Sequence, residues 1–171
     1  MNGNKLRSVF LKHADEVDDA QEEANDIESD AKANLTKILA HMRAASMHYQ
    51  HAHWQTEGET FYGDHLMYGR LYDSLDPHID TLAEKIVGYY GTDALSTIEQ
   101  TKQVAEIASE YCEDCFIKTS LAFEEALCNA IVTEFDRQEE AGTLKLGMND
   151  FLAAACNDRD TAKYLLKQRL K

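Results

Sequence analysis

Two histidines twelve residues apart, His53 and His65, are followed by Asp80 and Glu84, one helical turn from each other. Imidazole and carboxylate together suit a borderline divalent ion such as iron, zinc or manganese, and carboxylates at i, i+4 leave one face of a helix together. Singly, each element is ordinary. A lone histidine on an apolar face is more often a satisfied core residue, and an i, i+4 carboxylate pair is more often a solvated face. The combination of types and order points to a metal site.

The elements that must position these residues are helices. The 171-residue chain holds one proline and eight glycines and is rich in Ala, Leu, Glu and Lys, without the runs of Val, Ile and Thr that strands call for. Its length fits one domain. From Ala31 to Gln55, Leu35, Leu39, Met42, Ser46, Tyr49 and His53 recur at alternating spacings of four and three, the pattern of a bundle seam. After a link around Gly58, the same spacing runs through Phe61, His65, Tyr68, Tyr72, Leu75, Ile79, Leu82 and Ile86. Pro77 lies inside this second helix and predicts a bend near Tyr72 to Asp76, with Asp76 capping the resumed helix. A short helix over about 97–111, a third long helix over 116–140 and a fourth over 149–170 complete an all-α four-helix bundle whose short helix lies between the second and third long ones. On the last, Leu152, Ala155, Ala162, Leu166 and Leu170 point inward, and the terminal cations suit the helix dipole. Glu124 falls on the third helix's seam, where a one-residue shift of the face would expose it.

His65 belongs to the seam, whereas Asp80 and Glu84 follow seam positions by one or two residues and so point outward. Gly69, Asp73, Asp76, Asp80 and Glu84 share that outward stripe. In a monomer it is a solvated acidic face; in an oligomer it can complete another subunit's site.

The formal charge of −14 opposes phosphate binding through Lys and Arg, so nucleic acid is a poor partner. Residues 15–30 carry nine acidic side chains and no Lys or Arg, which reads as an acidic arm over 1–30, either a solvated helix or a mobile segment, ahead of the bundle at 31–171. Leu6, Val9, Phe10 and Val17 give it a thin apolar stripe for docking. The absence of a long apolar run and of a signal-peptide core predicts a cytoplasmic protein. Four cysteines in a chain with its own core read as reduced thiols, and the lone Cys112/Cys115 CxxC is a weak zinc signal.

Residues 53–65, HWQTEGETFYGDH, and 80–87, DTLAEKIV, resemble the metal-site segments of the Dps family of miniferritins, with His53, Trp54, Gly58, Phe61, His65, Asp80, Ala83 and Glu84 matching in kind and spacing. The resemblance implies a shell of twelve ferritin-like subunits that binds Fe(II), oxidises it with hydrogen peroxide or oxygen, and stores ferric mineral inside. It further implies iron sites across a two-fold interface, with His53 and His65 from one subunit and Asp80 and Glu84 from its partner. The carboxylates favour the harder Fe(III) and the imidazoles hold Fe(II). Trp54 matches a family tryptophan, read first as an interface side chain.

One ligand departs from the family pattern, because Gly69 stands four residues after His65 where a carboxylate is expected. Asp73, one turn further along, is the candidate substitute. The intra-bundle Glu-x-x-His pair of larger ferritins is missing: none of the seven histidines has Glu three residues before it. His48 and His51 offer an accessory HxxH, more often a structural pair. The competing class is a catalytically idle assembly protein that keeps the fold and has lost the site at Gly69.

Overall fold

The computed structural model describes residues 3–111 and 115–171, with side chains from Asn25 onward. Five α-helices follow in order: α1 Gly3–Gln55, α2 Phe61–Tyr90, α3 Thr97–Ser109, α4 Phe116–Glu140 and α5 Leu146–Arg169, with a 3₁₀ turn at Thr92–Ala94 between α2 and α3. This is the expected all-α bundle, α3 being the short helix in the connection between the second and third long helices. The Leu6, Val9, Phe10 and Val17 stripe lies outside the described side chains, and Cys112 outside the described residues.

The connections set the geometry. Gly58, at φ +80°, turns the chain between α1 and α2, and Gly91, at φ +88°, ends α2 while its amide donates to the Val87 carbonyl. Both conformations favour glycine because it has no Cβ. Ser96 opens α3 by accepting the Glu99 amide. With so short a link, α1 and α2 lie antiparallel; α4 packs on α1, and α5 closes the ring against α4 and α2.

The core is one cluster, with Leu35, Leu39, Met42 and Tyr49 from α1, Leu71, Leu75, Leu82 and Ile86 from α2, Phe123, Leu127 and Ile131 from α4, and Leu152, Ala155, Ala162 and Leu166 from α5. Several faces differ from the expectation. On α2 the buried line is Asp64, Tyr68, Leu71, Leu75, Leu82 and Ile86, so His65, Tyr72 and Ile79 sit half-buried on its flank and Phe61 is exposed. Buried Asp64 and Leu71 decide between two interleaved stripes of equal spacing. α2 is one helix through exposed Pro77, and Asp76 is a mid-helix, solvent-facing residue rather than a cap. Proline removes one amide bond, while Leu75, Leu82 and Ile86 hold the helix to the core from either side. α1 is one helix from Gly3, not from Ala31, although packing of its described side chains begins at Ala31; before it, residues 25–30 are exposed except for half-buried Ile27. Leu170 is 42% exposed, at the fraying end of α5.

Charges inside the bundle are paired. Glu124 is fully buried; its Oε1 accepts the Tyr49 hydroxyl at 2.6 Å and Arg159 Nη1 at 3.1 Å, and Arg159 Nη2 donates to Ser74 Oγ at 2.6 Å. Tyr49, Ser74, Glu124 and Arg159 come from α1, α2, α4 and α5, so one network ties the four long helices. Burial pushes the Glu124 carboxyl up, opposed by the Arg159 guanidinium and the Tyr49 hydroxyl. Glu124 Oε2 and Arg159 Nε find no hydrogen-bond partner among the described residues. The network is therefore expensive to bury, and what it supplies is a fixed register.

A second tie closes the end of the bundle nearest the histidines. Arg169 of α5 donates to both Asp64 oxygens, at 2.6 and 3.0 Å, and to Thr60 Oγ1 at 2.8 Å. Arg169 holds the Asp64 carboxyl below its usual pKa, with help from Thr60 and against partial desolvation.

Two outcomes follow. Arg159→Met alone leaves a buried carboxylate unpaired and lowers unfolding stability by about 3–5 kcal/mol, whereas Glu124→Leu/Arg159→Met recovers most of the loss, read by urea titration at fixed protein concentration. A depressed carboxylate stabilises above its unfolded pKa and loses that contribution as pH falls through its folded value. Melting temperature therefore drops between about pH 5 and 3 more steeply in the wild type than in Arg169→Met, by an amount limited to about 1 kcal/mol because Arg169 is partly solvated.

Candidate metal centre

His53 ends α1 and His65 lies in the second turn of α2, and the turn at Gly58 folds them together. Their rings stack with centroids 3.6 Å apart and planes 23° from parallel. His53 Nδ1 lies 2.8 Å from the His65 carbonyl oxygen, and His65 Nδ1 lies 2.9 Å from the His53 carbonyl oxygen. A carbonyl only accepts, so each Nδ1 carries the proton. In the neutral rings the lone pair is then on Nε2 in both, the tautomer a metal ion needs, held by the hydrogen bond on the other nitrogen. Tyr72 meets the His53 ring edge-on at 5.5 Å, and Phe61 packs on His65 at 5.3 Å.

The pair opens onto a cleft of about 600 Å³ lined by His53, His65, Leu66, Gly69, Tyr72 and Asp73, among others. Gly69 faces the His53 ring: a Cβ there would lie 3.5 Å from His53 Cε1 and 3.6 Å from Nδ1, ordinary contact distances. The backbone conformation is helical, so a side chain fits where none is present. Asp73 is exposed at the rim of the same cleft.

Asp80 and Glu84 are exposed, as expected, but they are outside this cleft. At the rise of an α-helix they stand ~22 and ~28 Å beyond His65 along α2. Among the described residues no three His, Cys, Asp or Glu side chains converge as a metal-binding group within one chain. The structure thus brings His53 and His65 together, leaves Asp73 at the rim of their cleft, and holds Asp80 and Glu84 apart from them.

The other candidates resolve structurally. His48 is buried with Nε2 2.9 Å from Ser120 Oγ, whereas His51 is exposed beside Trp54, so the HxxH does not converge. Glu124, left without a role by the sequence, and Arg159, passed over as a polar residue between Ala155 and Ala162, form the ion pair in the bundle interior. Their signal was available: each interrupts an apolar seam, and they carry opposite charges.

No family model matches the chain. The "Nutrient stress-induced DNA-binding protein" of Nostoc sp. is 28% identical over 111 residues, 63% of this chain and 60% of that protein, so the match spans about three fifths of the relative's length. The "DNA protection during starvation protein" of Agrobacterium fabrum is 26% identical over 156 residues, 86% of this chain and 94% of that one. The Dps structure from Vibrio cholerae, described as belonging to a broad superfamily of ferritin-like diiron-carboxylate proteins, superposes with a TM-score of 0.72 at 18% identity, over 85% of this chain and 91% of that one. The chain is Dps-like in sequence and in fold. Identity is low, and the fold is shared along most of the length.

Because a Cβ at Gly69 meets only ordinary contacts, Gly69→Asp is expected to fold with an unchanged melting temperature and to bind Co(II) more tightly than the wild type under anaerobic conditions, by roughly tenfold, about 1.4 kcal/mol. Titration followed by visible absorbance checks it; unaltered affinity means that position 69 is not directed at the metal.

Proposed function

We propose that the protein is an iron-binding ferroxidase and iron-storage protein, acting as a homo-oligomer in which His53 and His65 of one copy meet Asp80 and Glu84 of another. The observation that carries this reading is the histidine pair itself: two stacked imidazoles, each fixed through Nδ1, present Nε2 to an open cleft with too few ligands of its own. The carboxylates that would complete the set are exposed and too far along α2 to reach it within one chain. Around the histidines, Trp54 (67%), Tyr62 (72%), Leu66 (53%) and Phe61 (44%) are exposed, an apolar surface of the kind that marks a protein–protein contact.

In this reading Fe(II) is the substrate. The neutral imidazoles hold the reduced ion, the carboxylates favour the harder Fe(III), and hydrogen peroxide or oxygen takes the electrons. Asp73 supplies the carboxylate that Gly69 lacks. Twelve subunits with the ferric product stored inside is the assembly that the Dps-like fold supports. The names of the relatives refer to DNA; here the −14 charge per chain opposes that partner, and plasmid mobility is expected to be unshifted at neutral pH and moderate salt. Among the described residues no helix is long and apolar enough to cross a membrane, and a cytoplasmic location is part of the proposal.

The test is the rate of Fe(II) oxidation, aerobic and with hydrogen peroxide, followed by ferric absorbance. Wild type is expected to exceed buffer clearly. Asp80→Ala is expected to abolish the excess, and Asp73→Ala to reduce it several-fold. Wild-type rates no better than buffer favour the idle assembly protein, whose specific support is the missing carboxylate at Gly69.

A further inference from the structure

Tyr72 is the side chain of the cleft that the proposed chemistry leaves idle. Its ring meets the His53 ring edge-on, with centroids 5.5 Å apart and planes 84° from parallel, and it lines the cleft with Gly69 and Asp73. His53 is stacked in turn on His65 at 3.6 Å, so a phenol and two imidazoles form one run of rings in contact. The other cleft-lining side chains are imidazole, aliphatic, guanidinium, carboxylate or hydroxyl groups, none of which gives up an electron as readily as a phenol. Trp54, although it follows His53 in the chain, is 67% exposed and packs on His51 at 5.5 Å, outside the cleft.

The donor set limits how much iron the cleft serves. Two imidazoles and one carboxylate are a set that holds a single Fe(II) with open positions. With Gly69 where a carboxylate is expected, and Asp73 exposed at the rim, a second ion lacks donors of its own. Reduction of hydrogen peroxide to water takes two electrons, and one Fe(II) supplies one. We propose that Tyr72 supplies the other, which rests on the reading of the cleft as an Fe(II) oxidation site. The O–O bond breaks as one electron arrives from Fe(II) and one electron, with its proton, arrives from the Tyr72 phenol. Fe(II) becomes Fe(III), the phenol becomes a phenoxyl radical, and the two peroxide oxygens leave as one hydroxide and one water. Lacking that phenol, a single Fe(II) splits peroxide into hydroxide and a free hydroxyl radical.

The experiment uses the full-length protein, anaerobic, loaded with one Fe(II) per chain and mixed with hydrogen peroxide. Ferric absorbance and residual peroxide give the ratio of the two reactants consumed, and samples frozen during the reaction are read by electron paramagnetic resonance. Wild type is expected to consume about one Fe(II) per peroxide and to show an organic radical whose hyperfine pattern narrows when the protein is made with ring-deuterated tyrosine. Tyr72→Phe keeps a ring against His53 and is expected to lose that signal several-fold while a spin trap reports more hydroxyl radical; Trp54→Phe is expected to keep the signal. A tyrosine radical of wild-type amplitude in Tyr72→Phe overturns the proposal. Two Fe(II) oxidised per peroxide with no tyrosine radical in the wild type overturns it too, and leaves the ferroxidase reading standing. Oxidation no faster than in buffer overturns that reading and the role of Tyr72 with it.

Discussion

The buried chain of contacts from Tyr49 through Glu124 and Arg159 to Ser74 holds the rest in place, because it takes one residue from each long helix. A carboxylate and a guanidinium in the interior tolerate little displacement: sliding any helix by a fraction of a turn strands a charge. The candidate site residues inherit that precision. Tyr49 is one turn before His53 on α1, and Ser74 follows Asp73 on α2, so the network that fixes the bundle also fixes both walls of the cleft. Hydrophobic burial supplies the drive to fold, and the polar core selects the register in which the histidines face each other.

Around the cleft, local chemistry finishes the work. The turn at Gly58 brings the end of α1 back over the start of α2, and each histidine uses the other's carbonyl to fix its tautomer. Asp64, clamped by Arg169, anchors the turn of α2 that carries His65 to the last turn of α5. The site is thereby prepared on its nitrogen side. Its oxygen side is different, since rigid α2 carries Asp80 and Glu84 away from the cleft and exposes them. A continuous helix cannot fold back on itself, and that constraint is what the proposed two-copy site answers.

Much of this was legible in the sequence. Alternating spacings of three and four placed Leu35, Leu39, Met42 and Tyr49 inside, and the offset of Asp80 and Glu84 from the seam placed them outside, because helical periodicity needs no tertiary knowledge. What stayed hidden depended on distant partners. Asp64 is buried because Arg169, more than a hundred residues on, meets it, which shifts the buried face of α2 by one position and moves His65 from seam to flank. Arg159 is buried because Glu124 waits on another helix. Pro77 was placed inside the second helix by the sequence, and packing on both sides of it keeps that helix continuous. That Asp73 lies on the same cleft as His53 could be suspected from spacing, but the reciprocal histidine lock could not, since it requires the turn that joins them.

The central claim is that the site is made from two copies, and complementation tests it most directly. His53→Ala/His65→Ala and Asp80→Ala/Glu84→Ala proteins are each expected to lack Fe(II) oxidation above buffer. Dissociated, mixed in equal amounts and reassembled, they regain about a quarter of the wild-type rate, because half of the two-fold contacts pair unlike copies and each such contact holds one complete site. Full loss in both parents with no recovery in a mixture shown to have exchanged subunits would contradict the account.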